Sequence, residues 1–95
     1  DFNNWQATGR SREIFGGEIK KKWKAFGWNT QEINGNNVKQ IYGALKKAKK
    51  SKEKPTAIIC NTIKGKGINF MEDDNNWHYR VPNLKELKII KKILI

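Results

Sequence analysis

Patterning along this 95-residue chain predicts an α/β fold on a parallel sheet. One ground is the element order, which reads helix, strand, helix, strand, loop, helix. The other is Ala57-Ile58-Ile59-Cys60, a continuous apolar run. A strand apolar on both faces belongs between two helical layers. Two strands cannot make such a sheet, so it is expected to be incomplete in this chain, with further strands supplied by other residues or another chain.

Asp1 to Arg12 is polar and turn-rich, and reads as a strand end running into a loop. From Glu18 to Phe26, Ile19, Trp23 and Phe26 fall at i, i+4 and i+7 among lysines, one apolar stripe of a helix. Gly27 follows where a left-handed C-cap costs little. Trp28 to Ile33 reads as a short strand, closed by the turn dipeptide Asn34-Gly35. Asn36 or Asn37 can cap the next helix, whose apolar positions are Val38, Ile41, Tyr42, Leu45 and Ala48. Pro55 ends it beyond a lysine cluster. Thr56 to Ile63 is the apolar strand, and Gly65 and Gly67 punctuate the loop beyond it. Glu72 to Asn76 reads as a solvated acidic loop, and Pro82-Asn83 opens a last helix with Leu84, Leu87, Ile90 and Leu94 on one side.

Composition narrows the function classes. No apolar run approaches the roughly 18–20 residues of a membrane span, so no membrane role is expected. One cysteine, Cys60, excludes an internal disulfide and a multi-cysteine zinc site, and fits a reducing, cytoplasmic setting. The net charge of +11 is the sole ground for a small basic nucleic-acid-binding module. Against it, the lysines are scattered on the backs of three helices and the tryptophans are spread over separate elements without interleaving with one basic face, so no specific nucleic acid is expected.

A few residues carry chemistry by type and spacing. Asn3 and the main-chain carbonyl of Trp5 can face one hard cation, since Mg²⁺ and Ca²⁺ take such oxygens; a loop asparagine also simply forms turns. Thr62-Ile63-Lys64-Gly65-Lys66-Gly67 follows a buried strand, where glycines admit a ligand close to the backbone and lysines suit phosphate; the same residues also make a solvated turn. It is not a P-loop, lacking the glycine spacing and the Lys-Ser/Thr ending. His78, the only histidine, stands between Trp77 and Tyr79, placed either for proton transfer or for packing.

In sequence order, Lys22-Trp23-Lys24-Ala25-Phe26-Gly27-Trp28, Glu32-Ile33-Asn34-Gly35, Lys54-Pro55-Thr56, Thr62-Ile63-Lys64-Gly65-Lys66-Gly67-Ile68, Phe70-Met71-Glu72 and Trp77-His78 together resemble the thiamine diphosphate-binding portion of transketolases, particularly the split type. The resemblance runs over nearly the whole chain. It implies part of a parallel-sheet thiamine diphosphate-binding domain with helices on both faces. Residues 1–95 would form its C-terminal part, with the Gly-Asp-Gly half of the cofactor motif and its metal-binding aspartate upstream.

By the same resemblance, Asn3 is the side-chain metal ligand and Trp5 the next, through its carbonyl. Lys64 and Gly65 border the cofactor, and His78 reaches the diphosphate and the substrate hydroxyls as the catalytic residue. The cofactors implied are thiamine diphosphate and Mg²⁺, with Ca²⁺ an alternative. The reaction implied is transfer of a two-carbon ketol unit between sugar phosphates of pentose phosphate metabolism. A dimeric assembly with a C-terminal transketolase domain or subunit would complete the site, so these residues alone are expected to be inactive. A deoxyxylulose-phosphate synthase-like enzyme shares the glycine–lysine–glycine loop, but the Lys22 to Trp28 block favours transketolase. Three departures stand out: Asn34-Gly35-Asn36-Asn37 replaces the usual Asp-Gly-His-Asp, Tyr79-Arg80 follows the histidine, and Ala7 is small.

Overall fold

The computed structural model describes residues 1–95. Its centre is a parallel pair, β3 (Asn29–Asn34) and β4 (Thr56–Asn61), in register from Asn29 opposite Thr56 to Asn34 opposite Asn61. Parallel strands need a crossover, and α3 (Val38–Lys50) provides it. Phe2 adds a third parallel position on the far side of β4: its amide donates to the Cys60 carbonyl at 2.8 Å and its carbonyl accepts from Thr62 at 3.2 Å. The opening residues are thus a strand end, as their sequence predicts.

Helices cover both faces. Successive strand residues point oppositely, and β3 shows it. Gln31 donates its side-chain amide to the Ala44 carbonyl of α3 at 3.0 Å. The next residue, Glu32, faces the other way and meets Lys20 of α2 (Ile19–Ala25) at 3.8 Å. α2 and α3 therefore flank the sheet. Between them Ile59 is buried, while Ala57, Ile58 and Cys60 are only partly covered.

The α3 pattern divides in two. Ile41, Ala44 and Ala48 turn toward the sheet, whereas Val38, Tyr42 and Leu45 stay exposed on a neighbouring stripe. A wide apolar arc cannot all meet one flat sheet, and the small residues win the close approach. Asn37 caps α3, accepting from the Gln40 amide at 3.1 Å. Its replacement by alanine is expected to cost about 1 kcal/mol of stability in a urea titration.

Two segments differ from their sequence reading. The stretch up to Arg12 is a hairpin, β1 (Trp5–Gln6) against β2 (Gly9–Arg10), running straight into the short α1 (Ser11–Phe15). Ala7-Thr8 is its two-residue turn, a pair without the Asn-Gly signal of such hairpins. A 3₁₀ turn, Asn75–His78, rises from the acidic stretch, capped by the Asp74 carboxylate on the Asn76 amide at 3.0 Å. The last helix, α4 (Leu84–Leu94), starts as expected at Asn83, which forms a reciprocal capping box with Glu86. No helix is long and apolar enough to cross a membrane.

Candidate functional site

The three parallel segments end at one edge, and the residues just past their carboxyl ends surround a cleft of about 530 Å³. Asn3 follows the first segment, Asn36 follows β3, and Thr62, Ile63, Lys64, Gly65 and Lys66 follow β4. Ligands of open parallel sheets bind outside these strand ends. The cleft therefore lies where topology predicts it and brings together Asn3, Lys64 and Gly65, three of the residues chosen from sequence.

Each is held by its own backbone logic. Asn3 Oδ1 accepts the Trp5 amide at 3.0 Å, closing a turn over Asn4, whose φ is +69°. A carbonyl oxygen has two lone pairs, so one remains for a cation. Ser11 donates its amide to the Asn4 carbonyl at 2.9 Å, which makes Asn4 and Ser11 a hydrogen-bonded pair of the hairpin. The adjacent pair, Trp5 and Arg10, is then the non-bonded kind. The Trp5 carbonyl is accordingly free of the ladder, on the edge where its amide meets Asn3. Trp5 itself does not line the cleft.

The loop after β4 folds back on itself. Ile68 donates to the Gly65 carbonyl at 3.1 Å, Met71 to the Ile68 carbonyl at 2.8 Å, and Asp73 to the Lys64 carbonyl at 2.9 Å. Ile68 is buried beneath the loop. Asn36 braces the loop from outside, its Oδ1 accepting the Ile63 amide at 2.8 Å. It lines the cleft and leaves helix capping to Asn37.

The acidic stretch, though Asp73 stays exposed, is bound into this structure. Glu72 accepts the Gly67 amide at 3.1 Å and pairs with Lys66 at 3.2 Å; these contacts, led by the Gly67 amide, hold its carboxyl below the usual glutamate range. Asp73 takes the Arg10 guanidinium in a fork at 2.7 and 3.1 Å and the Trp5 indole at 2.8 Å. Arg10, ahead of Trp5, holds the Asp73 carboxyl below its ordinary range and is itself pushed up by the same pairing. No local pattern announces these contacts, because the partners are 63 to 68 residues apart.

His78 is exposed at the end of the 3₁₀ turn, with its ring edge-on to Tyr79 at 4.5 Å between centroids. It is not among the cleft's lining residues.

The Asn3 and Asn36 side-chain amides and the Asp1 carboxylate offer hard oxygen donors beside Lys64 and Lys66, a set that fits a phosphate carried with Mg²⁺ or Ca²⁺. No trio of histidine, cysteine, aspartate or glutamate side chains converges on one point. An α/β sheet with such a strand-end cleft is the architecture of a ligand-binding domain, and comparison with known proteins gives its kind: the chain belongs to the family "Transketolase, thiamine diphosphate binding domain", matched over residues 1–94. It is 45% identical over 73 residues to the 6-deoxy-6-sulfo-D-fructose transketolase subunit SqwG of Clostridium sp. (strain MSTE9), covering 76% of this chain and 26% of that one. It is 33% identical over 87 residues to an apulose-4-phosphate transketolase subunit of Phocaeicola vulgatus, covering 90% and 31%. Against transketolase-like protein 2 of Homo sapiens the identity is 44% over 95 residues, covering 98% and 15%. The chain thus spans about a third or less of the relatives it matches.

Proposed function

We propose that this chain supplies part of the cofactor grip of a transketolase, an enzyme moving a two-carbon ketol unit between sugar phosphates. The observation that carries the reading is the convergence of Asn3, Lys64 and Gly65 at one strand-end cleft. Thiamine diphosphate, when bound, supplies the chemistry that breaks and forms the carbon–carbon bond.

The roles given to this chain's residues are those that the family resemblance implies. Asn3 Oδ1 and the Trp5 carbonyl would hold the Mg²⁺ that accompanies the diphosphate. Lys64 and Lys66 offset its negative charge, with Lys66 shared with Glu72. Gly65 keeps the loop tight beside the cleft. His78 acts from the substrate side as a hydrogen-bond donor to phosphate or to a developing alkoxide, and its exposed ring is free for groups brought by another domain. In this reading residues 1–95 are the C-terminal part of the cofactor domain. The upstream half and a C-terminal transketolase domain or subunit complete the site, in a cytoplasmic dimer. Relatives named as transketolase subunits support that division of labour.

Calorimetric titration of thiamine diphosphate with Mg²⁺ into the chain in its native assembly tests the proposal. Saturable heat that needs Mg²⁺ is expected, and Asn3→Ala should weaken it at least about tenfold by deleting a metal-ligand oxygen. Absence of heat in the unaltered assembly would end the reading.

A further inference from the structure

Two segments carry the ligands just described: the hairpin with Trp5 and the loop with Lys64. They are distant in sequence, and one residue touches both. The Asp73 amide donates to the Lys64 carbonyl at 2.9 Å. The Asp73 carboxylate accepts the Trp5 indole N–H at 2.8 Å and the Arg10 fork at 2.7 and 3.1 Å. Its main-chain carbonyl accepts the same indole at 3.1 Å. Arg10 in turn lies over the Trp5 ring at 3.8 Å, so the indole is held on a face and at its N–H.

The backbone is shaped for this role. Asp73 has a φ of +55°, a left-handed conformation uncommon outside glycine and asparagine. That turn lets its amide serve the loop while its carboxylate and carbonyl serve the hairpin. Asn75 adds a second tie, donating its side-chain amide to the Gln6 and Ala7 carbonyls at 3.1 and 3.2 Å. Asn75 reaches the hairpin turn but makes no hydrogen bond to the Lys64 loop. The Phe2 main chain joins the opening residues to the end of β4 through Cys60 and Thr62; beyond that ladder, Asp73 is the residue that bonds both the Trp5 hairpin and the Lys64 carbonyl.

We infer that Asp73 is a positioning residue, joining the Trp5 hairpin to the Lys64 loop so that the cation-bearing and phosphate-bearing segments keep one spacing. The inference rests on the functional reading above for the identity of the ligand, but the junction itself is a property of this chain. Asp73 touches no ligand in this scheme and acts through Trp5 and Lys64. Bidentate, charge-assisted pairing suits the task, because it fixes angle as well as distance. Asparagine at this position would keep the indole and one guanidinium contact while losing the paired charges; alanine would lose the guanidinium fork and leave the indole only the main-chain carbonyl.

Amide hydrogen exchange read by mass spectrometry, on the chain in its native assembly and without cofactor, tests the junction. In Asp73→Ala the hairpin and the loop should lose protection together, with Asp73→Asn intermediate. The same assemblies are then titrated with Mg²⁺ at fixed thiamine diphosphate. The Mg²⁺ concentration for half-saturation should rise about tenfold in Asp73→Ala and less in Asp73→Asn, the size usual for residues that orient metal ligands. Glu86→Ala, which dismantles the α4 capping box outside the cleft, should lower melting temperature without moving the Mg²⁺ requirement. Loss of protection in only one segment would overturn the inference, and so would an Asp73→Ala assembly that melts earlier but needs no more Mg²⁺. Coupled loss of protection in an assembly that binds no thiamine diphosphate would instead remove the functional reading and leave the junction standing.

Discussion

Gly65→Ala is expected to open the loop bordering the cleft and to abolish measurable thiamine diphosphate binding. Gly65 sits at φ +73°, where a side chain costs about 1–3 kcal/mol. An added Cβ would also lie 2.5 Å from the Met71 carbonyl oxygen and 2.8 Å from the carbon bearing it. These are backbone atoms, and no rotamer change relieves them. Met71 is itself pinned through its amide to Ile68, so relief requires unwinding the whole fold-back. Strain and overlap together should cost at least about 3 kcal/mol. Gly67→Ala is the internal comparison. Its φ of +101° is also strained, but no atom lies within 4 Å of the added carbon. Urea denaturation should therefore show Gly65→Ala as clearly the more destabilised of the two. Equal losses would mean that the approach of Met71 is not what glycine serves at position 65.

Gly35→Ala should be nearly as damaging, for another reason. Gly35 follows β3, and its amide donates to the Asn61 carbonyl at 2.7 Å, extending the ladder by one bond. A Cβ there would meet Thr62 Cγ2 at 2.5 Å, Cys60 Cβ at 2.7 Å and the Cys60 carbonyl carbon at 3.2 Å. The threonine methyl can rotate away; the cysteine Cβ and main chain cannot. Overpacking of this kind costs about 1–3 kcal/mol. It should also carry Asn36 off the Ile63 amide and so disturb the cleft. Adding Thr62→Ser to Gly35→Ala should restore a part of the stability, because it removes the nearest clash and leaves the other two. Complete recovery would place the whole penalty on one methyl group.

The sequence reading succeeds where information is local. Ile19 and Trp23 recur at helical spacing, Asn37 and Asn83 accept from amides three residues on, and Ala57 to Cys60 is apolar in one run. Propensity and pattern act over such distances, and the sheet, α2, α3 and α4 follow from them. Asn3 was picked out by its oxygen and by the family resemblance, Lys64 and Gly65 by their place after an apolar strand and by that resemblance; topology sends strand ends to one edge, so the three line one cleft.

The features that stayed hidden depend on distant partners. Glu72, Asp73 and Asp74 look like a solvated run because nothing nearby shows that Arg10 and Trp5 will meet Asp73. The hairpin at Trp5 to Arg10 escapes notice because Ala7-Thr8 is a poor turn signal, and the Asn75 bonds to Gln6 and Ala7 hold it from outside. The exposed half of α3 could not be foretold either, since periodicity counts apolar residues without saying which of them a flat sheet admits.

All the cleft's contacts with the sheet come at strand ends, beyond the last rungs of the ladder. Natural selection can therefore exchange residues such as Asn36 or Lys66 with little disturbance to the ladder beneath. The lining of such a cleft is free to drift among descendants of the domain while the scaffold beneath it is inherited unchanged.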